Sequence, residues 1–316
     1  MNHCLLCPRR CGVGRDSGGR GFCGETSKLR VALASIHYGE EPPVTGTGGS
    51  GTVFITGCNL GCVFCQNYQI SRQGMGRVVD AGEFAEICLA LQLRGAENIN
   101  IVTGSHAVPA ITEGIARARE RGLFVPVLWN SSGYEGEESL ALLKDTVDVY
   151  LPDLKTLDSI MASRFFNAPE YPEYAAASIL KMMEYRKLRF APGRGTVGAS
   201  AEVLRSGVII RHLVIPGCLD ATRGVLRWFA GKAQGRALLS LMTQYTPVKT
   251  PGAFPSRYLS NEEYDTLIEW LEDFGIDDGF CQEPVTGTEW LPDFNRKNPF
   301  SSELSVPVWH WREGFV

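Results

Sequence analysis

The chain has 316 residues, 44% of them hydrophobic and 21% charged, enough for one large α/β domain with small appendages. Its formal charge of -4 gives no basic field for nucleic acid or an anionic membrane, and no apolar run approaches the roughly 18 residues of a membrane span. Seven of the ten cysteines fall in two tight groups and the start lacks an apolar signal core, so they read as metal ligands in a reducing cytoplasm and not as disulfides.

Residues 1–30 form a cysteine-rich segment with Cys4, Cys7, Cys11 and Cys23 among several glycines. Four thiols so placed could close a tetrahedral zinc site, hold a second iron–sulfur cluster, or stay free and redox-labile; spacing does not choose among these. A segment this small cannot build its own core, which favours a metal as a staple. Val31 to Ile36 then leads into His37-Tyr38-Gly39-Glu40-Glu41-Pro42-Pro43, where two prolines predict an extended, non-helical path. Gly46-Thr47-Gly48-Gly49-Ser50-Gly51 matches G-x-G-x-x-G but precedes a strand, so it reads as a flexible turn packing beside the cysteine loop that follows, not as a dinucleotide fingerprint.

The apolar run Thr52 to Thr56 feeds directly into Gly57-Cys58-Asn59-Leu60-Gly61-Cys62-Val63-Phe64-Cys65, a C-x3-C-x2-C triplet. Thiolates bind iron tightly, and a glycine-relieved loop can point three of them at one four-iron cube, leaving the fourth corner open to an exogenous ligand. Three buried structural cysteines on one helical face are an alternative that the glycines and Asn59 oppose. Zinc is another, but the following Gln66-Asn67-Tyr68 offers no obvious fourth ligand. A cluster of this kind points to a low-oxygen or anaerobic setting.

Strand and helix then alternate: helix 82–93, strand 98–102, helix 109–121, strand 124–129, helix 137–144, strand 147–151, helix 171–186, strand 207–215 and strand 237–245. Residues 188–206 read as an exposed loop or hairpin between units. Ser260-Asn261-Glu262-Glu263 is a capping box opening a further helix, and the aromatic stretch from Trp290 to Val316 is expected to pack across the barrel. The pattern predicts an α/β fold, a partial (β/α)6 TIM-like barrel over residues 31–250, with the cysteine-rich segment before it and a C-terminal extension, 251–316, after it. Chemistry in such barrels sits at the carboxyl ends of the strands. Polar groups collect there: Thr103-Gly104-Ser105-His106, Asn130-Ser131, Asp153 and Lys155, Arg211-His212, and Gln244-Tyr245.

The segment Cys58 to Cys65, placed after a first strand, resembles the signature of the radical S-adenosylmethionine superfamily. The resemblance implies a [4Fe–4S] cluster on Cys58, Cys62 and Cys65 whose open iron is chelated by the methionyl amine and carboxylate of S-adenosylmethionine. It further implies reductive cleavage to a 5'-deoxyadenosyl radical that abstracts hydrogen from the substrate. Phe64 matches the aromatic position that packs by the adenine.

Within that superfamily the chain is similar to the glycyl-radical activating enzymes, typified by pyruvate formate-lyase activating enzyme, and closer still to their PflX-type homologues, over nearly nine-tenths of its length. Asp153 and Lys155 resemble the family's Asp-x-Lys, in which the lysine faces S-adenosylmethionine and the aspartate helps to hold a monovalent cation. Asn130-Ser131 stands where the family has an Asp-Thr pair. Arg211, with Val214-Ile215-Pro216-Gly217, resembles an arginine that contacts cofactor or substrate. Thr103, Gly104 and Ser105 replace the Gly-Gly-Glu loop that grips the methionyl amine, and Gln244-Tyr245 replaces a histidine. An oxidoreductase acting on a protein or peptide, with a flavodoxin- or ferredoxin-type reductant, is therefore expected. A small-molecule or peptide-modifying enzyme and a non-catalytic iron–sulfur electron-transfer protein are the alternatives.

Overall fold

Runs that are apolar on both faces, such as Ser50–Ile55 and Ile99–Val102, can only be satisfied in a sheet covered on both sides, and they lie side by side in parallel. The computed structural model describes residues 3–194, 202–248, 254–288 and 290–316. Its strands are β1 (Leu29–His37), β2 (Ser50–Ile55), β3 (Arg77–Val79), β4 (Ile99–Val102), β5 (Val127–Ser131), β6 (Val149–Pro152), β7 (Arg189–Pro192), β8 (Glu202–Leu213), β9 (Leu238–Met242), β10 (Gly279–Cys281), β11 (Ser305–His310) and β12 (Gly314–Phe315). The helices are α1 (Pro42–Thr45), α2 (Tyr68–Ser71), α3 (Ala81–Leu93), α4 (Val108–Glu120), α5 (Glu137–Leu143), α6 (Ser159–Phe166), α7 (Tyr171–Tyr185), α8 (Leu219–Lys232) and α9 (Asn261–Asp273).

Sheet order is β10-β9-β8-β6-β5-β4-β2-β1-β11-β12, with β3 added to β1 and β7 to β8. The six parallel strands β2, β4, β5, β6, β8 and β9 are those expected from the alternating pattern, and β10 extends the parallel array past β9. On the other edge β1 runs antiparallel to β2 and to β11, so two strands of the C-terminal extension, β10 and β11, reach opposite edges of the sheet. Phe294 and Phe300 meet Phe54 of β2 with ring centroids 5.6 and 5.5 Å apart.

Several local expectations are corrected. The prolines at 42 and 43 open the one-turn helix α1, because proline at a first helical position lacks an N–H that would be unsatisfied anyway. The glycine turn at 46–51 leads into β2, with Ser50 and Gly51 already in the strand, while the cysteine loop follows it, so the two lie at opposite ends of a six-residue strand. Its glycines instead admit Gly95, Glu97 and Tyr38. The strand expected from 124 starts at Val127: Phe124 is 71% exposed, and the N–H groups of Phe124 and Val125 donate to Gln92 Oε1. The region 188–206 is a hairpin of β7 on β8, of which 195–201 lie outside the described residues. Helix α6, absent from the expectation, is capped by Asp158, whose carboxylate accepts from Ile160 N and Met161 N. The capping box at Ser260 and Glu263 is present.

Val44 of α1 joins Leu128, Val149, Leu151, Leu204 and Ile209 in an apolar cluster, and Val44 O accepts from Asn98 just before β4. The connection after β1 thus closes the amino-terminal side of the strands and leaves their carboxyl ends open. Gly133, after β5, has a φ of 71°, and a Cβ there would lie 2.5 Å from Asp153 O; Gly122 has a φ of 98° and open space around it. Gly122→Ala should cost about 1 kcal/mol from backbone strain alone, and Gly133→Ala ~3 kcal/mol because strain and collision add. Thermal unfolding of the two variants checks this, and equal losses of Tm would contradict it.

Candidate active site

The loop that leaves β2 at Ile55 has no regular structure until α2, so it is held from outside. Asn59, 1% exposed, donates from Nδ2 to Tyr134 O at 2.7 Å; Arg9 Nε donates to Asn59 O at 3.0 Å, and Arg72 donates to Leu60 O. A Cβ at Gly57 would lie 2.6 Å from Glu25 Cγ and 3.0 Å from Cys23 O, and one at Gly61 would lie 2.8 Å from Arg72 Nη2. The two glycines are where the cysteine-rich segment and α2 press on the loop.

Cys58, Cys62 and Cys65 all open on one cleft of about 310 Å³. Burial pushes the Cys58 thiol up to about 11 and Cys62 to about 12, so metal loading must displace their protons. Leu60 N donates to Cys58 Sγ at 3.3 Å, and Cys65 Sγ is 3.3 Å from Ser71 Oγ. Three soft donors facing a common space fit an iron–sulfur cube in kind, the space taking the corner that no protein ligand reaches. Ligands at separate corners bind separate irons and stand further apart than ligands of one ion. Among the described residues, no three His, Cys, Asp or Glu side chains gather closely enough to hold a single ion.

Cys4, Cys7, Cys11 and Cys23 likewise do not gather closely enough to hold a single ion. They are neighbours, since Cys7 and Cys23 each feel the charge of others of the four, and burial is the main cause that raises both thiols, Cys7 to about 12. Phe22 N donates to Cys11 Sγ at 3.4 Å. The segment itself is fastened by Arg15, 2% exposed, which donates to the carbonyls of His106, Thr26 and Glu25.

Phe64 lines the cleft and packs edge-on to Phe165, Phe166 and Tyr245, with centroids 5.8 to 6.0 Å away. Lys155 Nζ lies 2.7 Å from Asp153 Oδ2. Burial pushes its ammonium down, but Asp153 and the nearby Cys62 outweigh that and hold it above the ordinary lysine value. Tyr171 Oη fixes this corner by accepting from Lys155 N at 2.9 Å. Thr103 and Asn130 also face the cleft; Thr103 sits at a φ of 63°, an unusual conformation for a β-branched residue, and donates from N to Asn130 O.

Gly104 and Ser105 are not brought to the cleft lining. Gly104 is pressed on Trp129 and Ile111, and Ser105 donates to the buried Glu135 at 2.6 Å. His106 and His212 are pinned inside, His106 on Thr56 O and His212 between Leu154 O and Thr222 Oγ1; burial drives both imidazoles down to about 4. Arg211 reaches the cleft already engaged. Its Nε lies 2.9 Å from Glu41 Oε1, an ion pair without hydrogen-bond alignment, and its Nη2 lies 3.4 Å from Glu40 Oε2. Glu40, His37, Trp290 and Phe300 line the same space without having been expected to. The adjacent glutamates before two prolines were the only local signal.

A family model described as the Radical SAM superfamily matches residues 52–217, just over half of the chain. The chain belongs to the Radical SAM superfamily. Membership implies an enzyme that uses a [4Fe–4S] cluster and S-adenosylmethionine. "Uncharacterized protein MJ0674" of Methanocaldococcus jannaschii is 28% identical over 286 residues, 88% of this chain and 76% of that one. Among solved structures, SuiB of Streptococcus suis bound to S-adenosylmethionine superposes with a TM-score of 0.51 at 10% identity, covering 72% of this chain and 48% of SuiB. A radical SAM methyltransferase from Sphaerobacter thermophilus gives 0.50 at 16% identity, covering 76% and 68%. The chain thus spans about half the length of SuiB, and these likenesses show the fold. Among the described residues, no helix is long and apolar enough to cross a membrane.

Burial pushes the Glu40 carboxyl from 4.5 to about 6, against the opposing pull of Arg211. Between those values the folded chain keeps a proton that the unfolded chain has released, so stability falls as pH rises through the window. Glu40→Gln removes this dependence. The Tm of the parent relative to the variant should drop between pH 4.5 and about 6 and level off above; parallel curves in thermal unfolding would contradict the assignment.

Proposed function

We propose that the chain is a radical S-adenosylmethionine enzyme that removes a hydrogen atom from a protein or peptide, in the manner of the activating enzymes. The observation that carries this reading is that Cys58, Cys62, Cys65, Phe64 and the Asp153–Lys155 pair, drawn from two distant parts of the chain, open on one cleft. A [4Fe–4S] cluster held by Cys58, Cys62 and Cys65 would supply the electron for reductive cleavage of the sulfonium of S-adenosylmethionine.

The chain's own residues bind and orient. Lys155 offers a fixed positive charge to the methionyl carboxylate, with Asp153 holding its ammonium in place. Phe64 offers an aromatic face to the adenine, and Asn130 and Thr103 offer polar groups at neighbouring strand ends. The aromatic wall from Phe300 and Trp290 limits water. A protein or peptide substrate is supported by the likeness of Asp153, Lys155 and Arg211 to activating-enzyme motifs, and is compatible with the shared fold of SuiB, solved bound to the precursor peptide SuiA. The same reading includes a flavodoxin- or ferredoxin-type reductant, a cytoplasmic, low-oxygen setting, and a second iron–sulfur cluster on Cys4, Cys7, Cys11 and Cys23.

The test is anaerobic reconstitution with iron and sulfide, reduction, addition of S-adenosylmethionine and assay of 5'-deoxyadenosine. The parent should form product and the Cys58/Cys62/Cys65 triple alanine variant none. Lys155→Ala and Phe64→Ala should each weaken S-adenosylmethionine binding by about tenfold or more. A loaded parent that forms no product and binds no S-adenosylmethionine would favour electron transfer instead.

A further inference from the structure

The connection from β1 to α1 sets two adjacent carboxylates, Glu40 and Glu41, against one guanidinium, that of Arg211. The nearest other charged side chains, Asp153 and Lys155, form their own pair. Two carboxylates and one guanidinium leave a single negative charge in excess, on side chains that are 5–16% exposed. A buried charge without a counterion costs several kcal/mol, so such a site is completed by a proton or by a cation.

The surroundings favour a cation. Glu40 faces the cleft while Asn100 Nδ2 donates to its Oε1 at 2.9 Å, and Asn100 Oδ1 and Glu41 Oε2 are buried acceptors with no partner. His37 is held neutral by burial and by Arg211, which drive it down to about 4, and its ring lies 5.0 Å from that of Phe300. Trp290 lies against Gly39, where a Cβ would come 2.8 Å from its ring. A carboxylate that shares a cleft with indole and phenyl rings is the chemistry that binds ammonium and guanidinium groups. An anionic group would meet Glu40 and Glu41, and a neutral one would leave the excess charge unanswered.

We propose that Glu40, with Trp290 and Phe300, forms a pocket for a cationic group of the substrate, the ammonium or guanidinium of a basic peptide side chain. This rests on the reading of the cleft as the catalytic site and adds the substrate class to it.

The reconstituted chain is titrated calorimetrically, with and without S-adenosylmethionine, with acetyl-glycyl-lysyl-glycinamide, its norleucine and glutamate counterparts, and n-pentylamine. The lysine peptide should bind about tenfold tighter than the norleucine peptide, and the glutamate peptide should not bind. Glu40→Gln should abolish the preference for lysine; Glu40→Asp should retain the preference, and Trp290→Leu should weaken lysine-peptide binding by about fivefold. Pentylamine binding as tightly as the lysine peptide would support the cation pocket and assign it to a free amine. Equal binding of the lysine and norleucine peptides, binding of no probe at millimolar concentration, or a folded Glu40→Gln chain that still prefers lysine would overturn the proposal. A parent that fails to bind S-adenosylmethionine overturns the catalytic reading instead, and the titrations without it still decide the charge preference.

Discussion

Three thiols must be presented to one space by a loop that makes no regular structure of its own, and much of the surrounding architecture answers that constraint. Asn59 is tied to the carbonyl of Tyr134 beyond β5, Arg9 reaches back from the cysteine-rich segment, and Arg72 reaches across from the end of α2. The two arginine ties end on carbonyls of the loop and the third runs from the Asn59 side chain, so together they fix the course of the loop without engaging the sulfurs. The cost is accepted at Gly57 and Gly61, where neighbours approach too closely for any side chain.

The cysteine-rich segment is therefore part of the site's support as well as a holder of thiols. Arg9 stacks over Phe22, 3.8 Å from its centroid, so the side chain that clamps the loop is itself oriented by the segment. Arg15 ties the same segment to the carbonyl of His106 after β4, and His106 in turn meets the carbonyl of Thr56 at the start of the cysteine loop. Two histidines that stand near strand ends in sequence thus act as fixed, neutral spacers.

Charge around the cleft is arranged in neighbouring groups with different balances. Lys155 and Asp153 cancel beside the cysteines, whereas Arg211 is outnumbered by Glu40 and Glu41. The first group offers a fixed cation where a carboxylate would bind, and the second offers an anion where a cation would bind.

The cysteine triplet was legible because its information is local: spacing, glycines and the strand before it lie within a few turns of chain. The six parallel strands were legible for the same reason, as apolar runs separated by helical periodicity. What escaped depends on distant pairing. Nothing near Glu40 shows that β1 will lie beside β2 and put that carboxylate under Arg211, and nothing near Trp290 and Phe300 shows that β11 will bring them to the same cleft. Helix α6 escaped because eight residues carry little periodicity, and Ser105 because the buried Glu135 that turns it inward lies 30 residues away. The most direct measurement of the central claim is the electron paramagnetic resonance of the reconstituted, reduced protein before and after addition of S-adenosylmethionine labelled with nitrogen-15 at the methionyl amine. The account predicts a changed spectrum and a coupling to the labelled nitrogen; an unchanged spectrum from a fully loaded sample would contradict it.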